Sequence, residues 1–105
     1  MDQFQTINIE QAKELLQQPE VILADTRDSQ SFTNEHVEGA FSLNNDTIVE
    51  FMNEVEFEQP ILVMCYHGIS SQNVAQYLIN QGYSEVYSVD GGIEAWRRAG
   101  FPLTQ

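Results

Sequence analysis

Cys65 is the only cysteine in this 105-residue chain. It closes the apolar run Ile61-Leu62-Val63-Met64 and is followed by Tyr66-His67-Gly68-Ile69-Ser70-Ser71. An apolar run of this kind reads as a strand buried on both faces, and a helical pattern opens at Ser70 or Ser71. A thiol at a strand end, wrapped by a short loop and facing a helix N-terminus, has a physical reason to ionise. Backbone N–H groups and the helix dipole both favour the thiolate. Gly68 permits the positive φ or close backbone approach that such a loop needs. Ser70 and Ser71 are expected to add hydroxyl donors and to cap the helix through their oxygens. The cradle is expected to lower the thiol pKa from about 8.5. It should also stabilise anionic charge on whatever is attached to the sulfur. A buried apolar filler followed by an ordinary strand-to-helix turn is the competing reading; a turn that begins at the sole cysteine favours the nucleophile. His67 reads equally as a donor to substrate and as an exposed loop residue, and Tyr66 as a rim or packing residue.

One cysteine excludes an internal disulfide and a Cys-x-x-Cys pair. With only His36 and His67 beside it, zinc would need carboxylates to complete its shell, and no ligand spacing offers them. No metal or cofactor is expected.

The elements that must position Cys65 alternate between apolar runs and helical patterns, the signature of a parallel or mostly parallel sheet covered by helices. Phe4 to Ile9 predicts a first strand. Asn8 with Gln11 resembles a capping box ahead of a helix carrying Ile9, Ala12, Leu15 and Leu16, closed by Pro19. Val21 to Ala24 predicts a buried strand ending at Asp25. A helical turn over about 29–35 and a weaker strand over 40–43 follow. Thr47 with Glu50 suggests another capping box, with Ile48, Val49 and Met52 facing inward. The helix after the cysteine loop carries Val74, Ala75, Leu78 and Ile79 and stops at Gly82. Val86 to Val89 is the last strand, ending at Asp90-Gly91-Gly92, and a helix with Ile93, Ala95 and Trp96 completes the pattern. Asp25, Cys65 and Asp90 therefore end three strands, and in an open α/β sheet the carboxyl ends of the strands form the ligand-binding edge.

The length fits one domain, residues 1–105. Sixteen acidic residues against Lys13, Arg27, Arg97 and Arg98 give a formal charge of −12. Such a field disfavours nucleic acid and anionic membrane surfaces, and an anion site must be built locally. It serves solubility, adaptation to a salty medium, or docking of a basic partner. No apolar run is long enough to span a bilayer and no secretory signal is visible, so a cytoplasmic protein is expected.

Four blocks carry a family resemblance: residues 21–28, Glu35-His36-Val37-Glu38-Gly39-Ala40, residues 64–71, and residues 86–96 from Val86 through Asp90-Gly91-Gly92 to Trp96. Together, in order and at family spacing, they resemble the rhodanese sulfurtransferases. The resemblance implies an α/β, single rhodanese-like domain with a mostly parallel sheet of about five strands and helices on both faces. It implies that the Cys65 thiolate attacks the outer sulfur of thiosulfate and expels sulfite. The persulfide then rests among the residues expected to bind substrate, Tyr66, His67, Gly68, Ile69, Ser70 and Ser71. A thiophilic acceptor, cyanide or a dithiol protein such as thioredoxin, removes the sulfur in a ping-pong double displacement. Asp25 and Arg27 are implied to support this edge from behind, Arg27 as an ion pair, and His36 to be structural.

The chain departs from the family pattern in four places. Glu35 stands where many relatives have glycine, implying a changed turn; Ile69 replaces a frequently polar residue and Gln72 a frequently basic one. Ser70 stands where larger rhodaneses often place a cation. Thiosulfate is therefore expected to bind weakly, and a persulfide carrier whose main task is to dock a partner is the alternative reading. Cysteine phosphatases and arsenate reductases need a larger loop ending in arginine, which this loop lacks.

Overall fold

The computed structural model describes residues 3–105. Its central strand is β4 (Ile61–Met64), in which every residue is buried. Alternation sorts the side chains onto two faces. Ile61 and Val63 pack with Phe51, Ala75, Leu78 and Tyr83, while Leu62 and Met64 pack with Ala12, Leu23, Ile93 and Trp96. This two-sided burial is why the run reads as continuously apolar. Around it lie β1 (Gln5–Ile7), β2 (Ile22–Asp25), β3 (Phe41–Ser42) and β5 (Val86–Val89). The order is β1-β5-β4-β2-β3 and every pairing is parallel.

Among the described residues there are five helices, α1 (Ile9–Leu15), α2 (Ser29–Asn34), α3 (Ile48–Glu54), α4 (Ser70–Asn80) and α5 (Gly92–Arg98). Residues of α3 and α4 fill one core, and residues of α1 and α5 fill the other. The single-domain, mostly parallel α/β architecture with helices on both faces is therefore the one expected, with a fully parallel ladder.

Local differences have identifiable causes. The first strand is shorter than 4–9 because Asn8 leaves the sheet to cap α1, its Oδ1 accepting from the Gln11 N–H at 2.8 Å. Thr47 sits at the start of α3 but makes no side-chain cap bond. Its hydroxyl donates instead to the Ser42 carbonyl (2.8 Å) and accepts from the Asn44 N–H (2.9 Å), so the expected capping box is absent. Val49 is 69% exposed, not inward-facing. Ile48, Phe51, Met52 and Val55 form the packed face instead, and burying a side chain like Phe51 contributes roughly 1.5–3 kcal/mol.

Because β2, β4 and β5 are adjacent and parallel, Asp25, Cys65 and Asp90 reach the same sheet edge. Their environments differ. Asp25 is fully buried, Cys65 nearly so, and Asp90 is exposed, with its backbone N–H donating to Ile7 O at 2.8 Å.

Candidate active site

Cys65 follows β4 directly and is 3% exposed, yet its sulfur faces donors rather than an apolar wall. Sγ accepts from the N–H groups of Gly68 at 3.1 Å and Ser71 at 3.3 Å. Ser71 Oγ lies 3.2 Å away, accepting from a thiol or donating to a thiolate. Burial pushes the thiol pKa up; the hydroxyls of Ser71 and Ser70 and the backbone N–H groups of Ser71 and Gly68 outweigh it and bring it down to about 7.

The loop shape is imposed from outside as much as from within. Gly68 has φ +85°, and a Cβ there would stand 2.7 Å from Gly91 N and 2.9 Å from Val89 O. At the start of α5, Gly92 has φ +58°, and a Cβ would stand 2.4 Å from Cys65 O and 2.6 Å from Tyr66 O. That absence of a side chain lets Ile93 N–H donate to Cys65 O (2.8 Å) and Glu94 N–H to Tyr66 O (3.1 Å). Gln72 Nε2 donates to Gly68 O at 2.9 Å. In a trans peptide the C=O and N–H point in opposite directions. Tying these three carbonyls therefore turns the N–H groups of Tyr66 and His67 away from α5, and that of Ile69 away from Gln72.

The expected capping role of Ser70 and Ser71 is not found. Ile69 is the N-cap of α4 and has no side-chain cap bond, while the fully buried Ser71 turns its hydroxyl to Sγ and to Ser88 Oγ. The cysteine sulfur itself accepts the Ser71 N–H, the task a capping side chain otherwise performs.

Of the loop residues singled out in the sequence, Cys65, Gly68, Ser70 and Ser71 converge on the sulfur. Tyr66, His67 and Ile69 point their side chains outward as a rim, Ile69 with 74% exposure. The Tyr66 hydroxyl donates to Asp28 Oδ1 (2.9 Å) and lies against Ser31 Oγ, and its ring stands 5.6 Å from the Arg27 guanidinium. Asp28 caps α2, and its carboxyl is held down to about 2 by the Ser31 hydroxyl and N–H and then by Tyr66.

Asp25 and Arg27 do not touch the sulfur. The guanidinium grips the carboxylate through Nε–Oδ1 at 3.0 Å and Nη2–Oδ2 at 2.9 Å, and Nη2 also donates to Glu35 O at 2.6 Å. This buried pair ties the end of α2 to the end of β2, a support from behind. Glu35 is extended (φ −168°), so glycine is not required there, and its side chain pairs with Arg97 at 2.9 Å. His36 is structural: Nδ1 meets Phe32 O at 2.6 Å, and its backbone bridges to Thr104. Among the described residues no cluster of three or more His, Cys, Asp or Glu is arranged to hold a metal. Three contributors escaped the sequence reading. A cap signal, Asp28 three residues before Ser31, marked the first, and glycine at a helix start the second, Gly92. Nothing local distinguished Ser88.

Comparison with known proteins agrees with this architecture. The family model for the rhodanese-like domain matches residues 8–99. The chain belongs to the rhodanese family. This rhodanese domain is 54% identical over 103 residues to the thiosulfate sulfurtransferase GlpE of two Vibrio cholerae O1 strains, covering 98% of this chain and 97% of each relative. Among solved structures it resembles the rhodanese-like domain of the Anabaena protein Alr3790 (TM-score 0.85, 21% identity, 99% of this chain and 80% of that one). It also resembles a Rhodopseudomonas palustris protein described as a possible tyrosine phosphatase (TM-score 0.81, 22% identity, 96% of this chain and 85% of that one). At those identities the likeness concerns the fold alone, and this rhodanese loop contains no arginine.

Proposed function

We propose that this chain is a thiosulfate sulfurtransferase that carries a sulfane sulfur on Cys65. The observation that carries the reading is the set of donors around Sγ, two N–H groups and a hydroxyl, with the thiol brought down to about 7. At neutral pH this supplies a thiolate without a neighbouring general base. The Cys65 thiolate attacks the outer sulfur of thiosulfate: the Sγ–S bond forms, the S–S bond of thiosulfate breaks, and sulfite leaves with the electron pair. The anionic outer sulfur of the persulfide is then stabilised by the loop N–H groups of Tyr66, His67 and Ile69, which need no bulk to donate. A thiophilic acceptor, cyanide or a dithiol protein, attacks that sulfur and returns Cys65 to the thiolate. Tyr66, His67, Ile69 and Ser70 form the rim the substrates pass, and Asp25 with Arg27 holds the edge in register. The names of the curated relatives, which are similar over nearly the whole chain, support thiosulfate as donor.

One observation favours a second reading, a persulfide carrier that docks a partner protein. Among the described residues all three arginines are paired with carboxylates, Arg27 with Asp25 and Arg97 and Arg98 with Glu35 and Glu94, and Lys13 lies over the Phe101 ring, so no arginine stands free for a dianion. A reactive lone thiol and a dithiol acceptor both suit a reducing compartment, and we place the protein in the cytoplasm. No helix of the described residues is long and apolar enough to cross a membrane.

The test is mass spectrometry after incubation with thiosulfate. One added sulfur atom on the Cys65 peptide, one sulfite released per chain, and neither in Cys65→Ala are expected. Sulfur added equally to Cys65→Ala would refute the assignment. Negligible thiocyanate turnover with stoichiometric transfer to a dithiol protein would select the carrier.

A further inference from the structure

Behind Cys65 lies a hydroxyl that no substrate can reach. Ser88 stands in β5 opposite Val63 of β4, fully buried, with its Oγ 2.7 Å from Ser71 Oγ. Ser71 Oγ in turn lies 3.2 Å from Cys65 Sγ. Among the described residues the Ser88 hydroxyl has Ser71 as its only hydrogen-bond partner. A buried hydroxyl that fails to donate leaves a polar group unsatisfied, so the Ser88 proton belongs on Ser71 Oγ. Once that contact is made, the Ser71 proton has one remaining acceptor, the sulfur.

The chain of three atoms makes two contacts. With a thiolate there are two hydroxyl protons for those two contacts, and every donor is used. With a thiol there is a third proton and no third contact. The arrangement is therefore matched to charge on Sγ, and each hydrogen bond polarises the next.

We propose that Ser88 is a positioning residue for sulfur transfer: by donating to Ser71 Oγ it commits the Ser71 proton to Cys65 Sγ, so charge arriving on that sulfur meets a donor already aimed at it. The consequence for turnover rests on the persulfide reading above. In the discharging step an acceptor thiolate attacks the outer sulfur and a new S–S bond forms. The Sγ–S bond breaks and its electron pair returns to Sγ. No proton needs to move, because the Ser88–Ser71 chain already points at the leaving sulfur.

The test is a cycle of Ser88→Ala, Ser71→Ala and the double variant, read by the pH dependence of iodoacetamide alkylation at Cys65, with thermal unfolding as a check on the fold. Ser88→Ala is expected to raise the midpoint by about half a unit to one unit. Ser71→Ala should raise it further. Adding Ser88→Ala to Ser71→Ala should change nothing more, because Ser88 acts only through Ser71. Ser88→Thr, which keeps the hydroxyl, should return the midpoint toward the wild type; if its extra methyl unfolds the strand, the alanine cycle alone decides. Discharge of a preformed persulfide by a small thiol should slow about three- to tenfold in Ser88→Ala. The other titratable or charged groups around the loop are unchanged throughout: His67 and Tyr66 on it, Asp25, Arg27 and Asp28 beside β2, Asp90 after β5, and Glu94 on α5. An unmoved midpoint in Ser88→Ala, or an equal shift in the presence and absence of Ser71, overturns the proposal. Because alkylation needs no sulfur transfer, a normal cycle with no persulfide formed would instead fault the functional reading.

Discussion

Replacing Gly92 by alanine tests whether α5 shapes the cysteine loop. The added Cβ would meet Cys65 O at 2.4 Å and Tyr66 O at 2.6 Å, where ordinary contact begins at 3.4 Å. Both atoms are backbone, so no side chain can swing aside, and one carbonyl or the helix must retreat by about an ångström. Two costs arise. Holding an L-residue at φ +58° costs about 1–2 kcal/mol, and forcing a methyl into packed backbone costs about 1–3 kcal/mol more. The expected loss of stability is therefore about 2–5 kcal/mol in urea unfolding. Gly100→Ala is the control, since Gly100 also has positive φ (+75°) but nothing within 4 Å of its Cβ; it should show the conformational cost alone, about 1–2 kcal/mol. In protein that remains folded, displacing the Cys65 carbonyl disturbs the N–H groups facing the sulfur. Single-turnover sulfite release from thiosulfate should then fall on the order of 10²-fold in Gly92→Ala and stay near wild type in Gly100→Ala. If the two variants matched in stability and both kept full sulfite release, α5 would have no part in shaping the loop.

The reactive form of Cys65 is the thiolate and its pKa lies near 7, so alkylation should rise with pH chiefly between about 6 and 8; a midpoint at or above ~8.5, that of a free thiol, would contradict the donor geometry. Asp25→Asn leaves the Arg27 guanidinium buried without its counter-charge and should cost about 3–5 kcal/mol in urea unfolding, whereas Asp25→Leu combined with Arg27→Met should cost less. Tyr66→Phe removes one donor from Asp28, and NMR titration should show that carboxyl rising from about 2 toward the ordinary range. Its folded pKa is depressed, so its stabilising contribution is complete above the unfolded value of ~3.9 and is lost as pH falls through about 2; Tyr66→Phe should lose less stability over that acid range than the wild type.

The buried strands were legible because burial on both faces writes itself as an uninterrupted apolar run, as in Ile61 to Met64. Cys65 stood out because no second thiol shared the signal, and its place at the sheet edge followed from parallel strands ending at Asp25 and Asp90. What escaped depended on partners distant in sequence. Ile48, Val49 and Met52 do not fix the phase of a seven-residue helix; packing of Phe51 against Phe41 and Tyr83 does. Thr47 and Ser71 carry the chemistry of helix caps, but the Ser42 carbonyl captured one hydroxyl and the cysteine sulfur the other. Ser88 looks like any strand serine until β4 and β5 are set side by side. Gly92 reads as a helix-start glycine, and only the packed structure reveals the two carbonyls it admits.

Those carbonyl anchors mean that the cysteine turn cannot behave as a flap. Its curvature is clamped at both ends, by the first turn of α5 and by Gln72, so whatever approaches Cys65 meets a dish that is already formed.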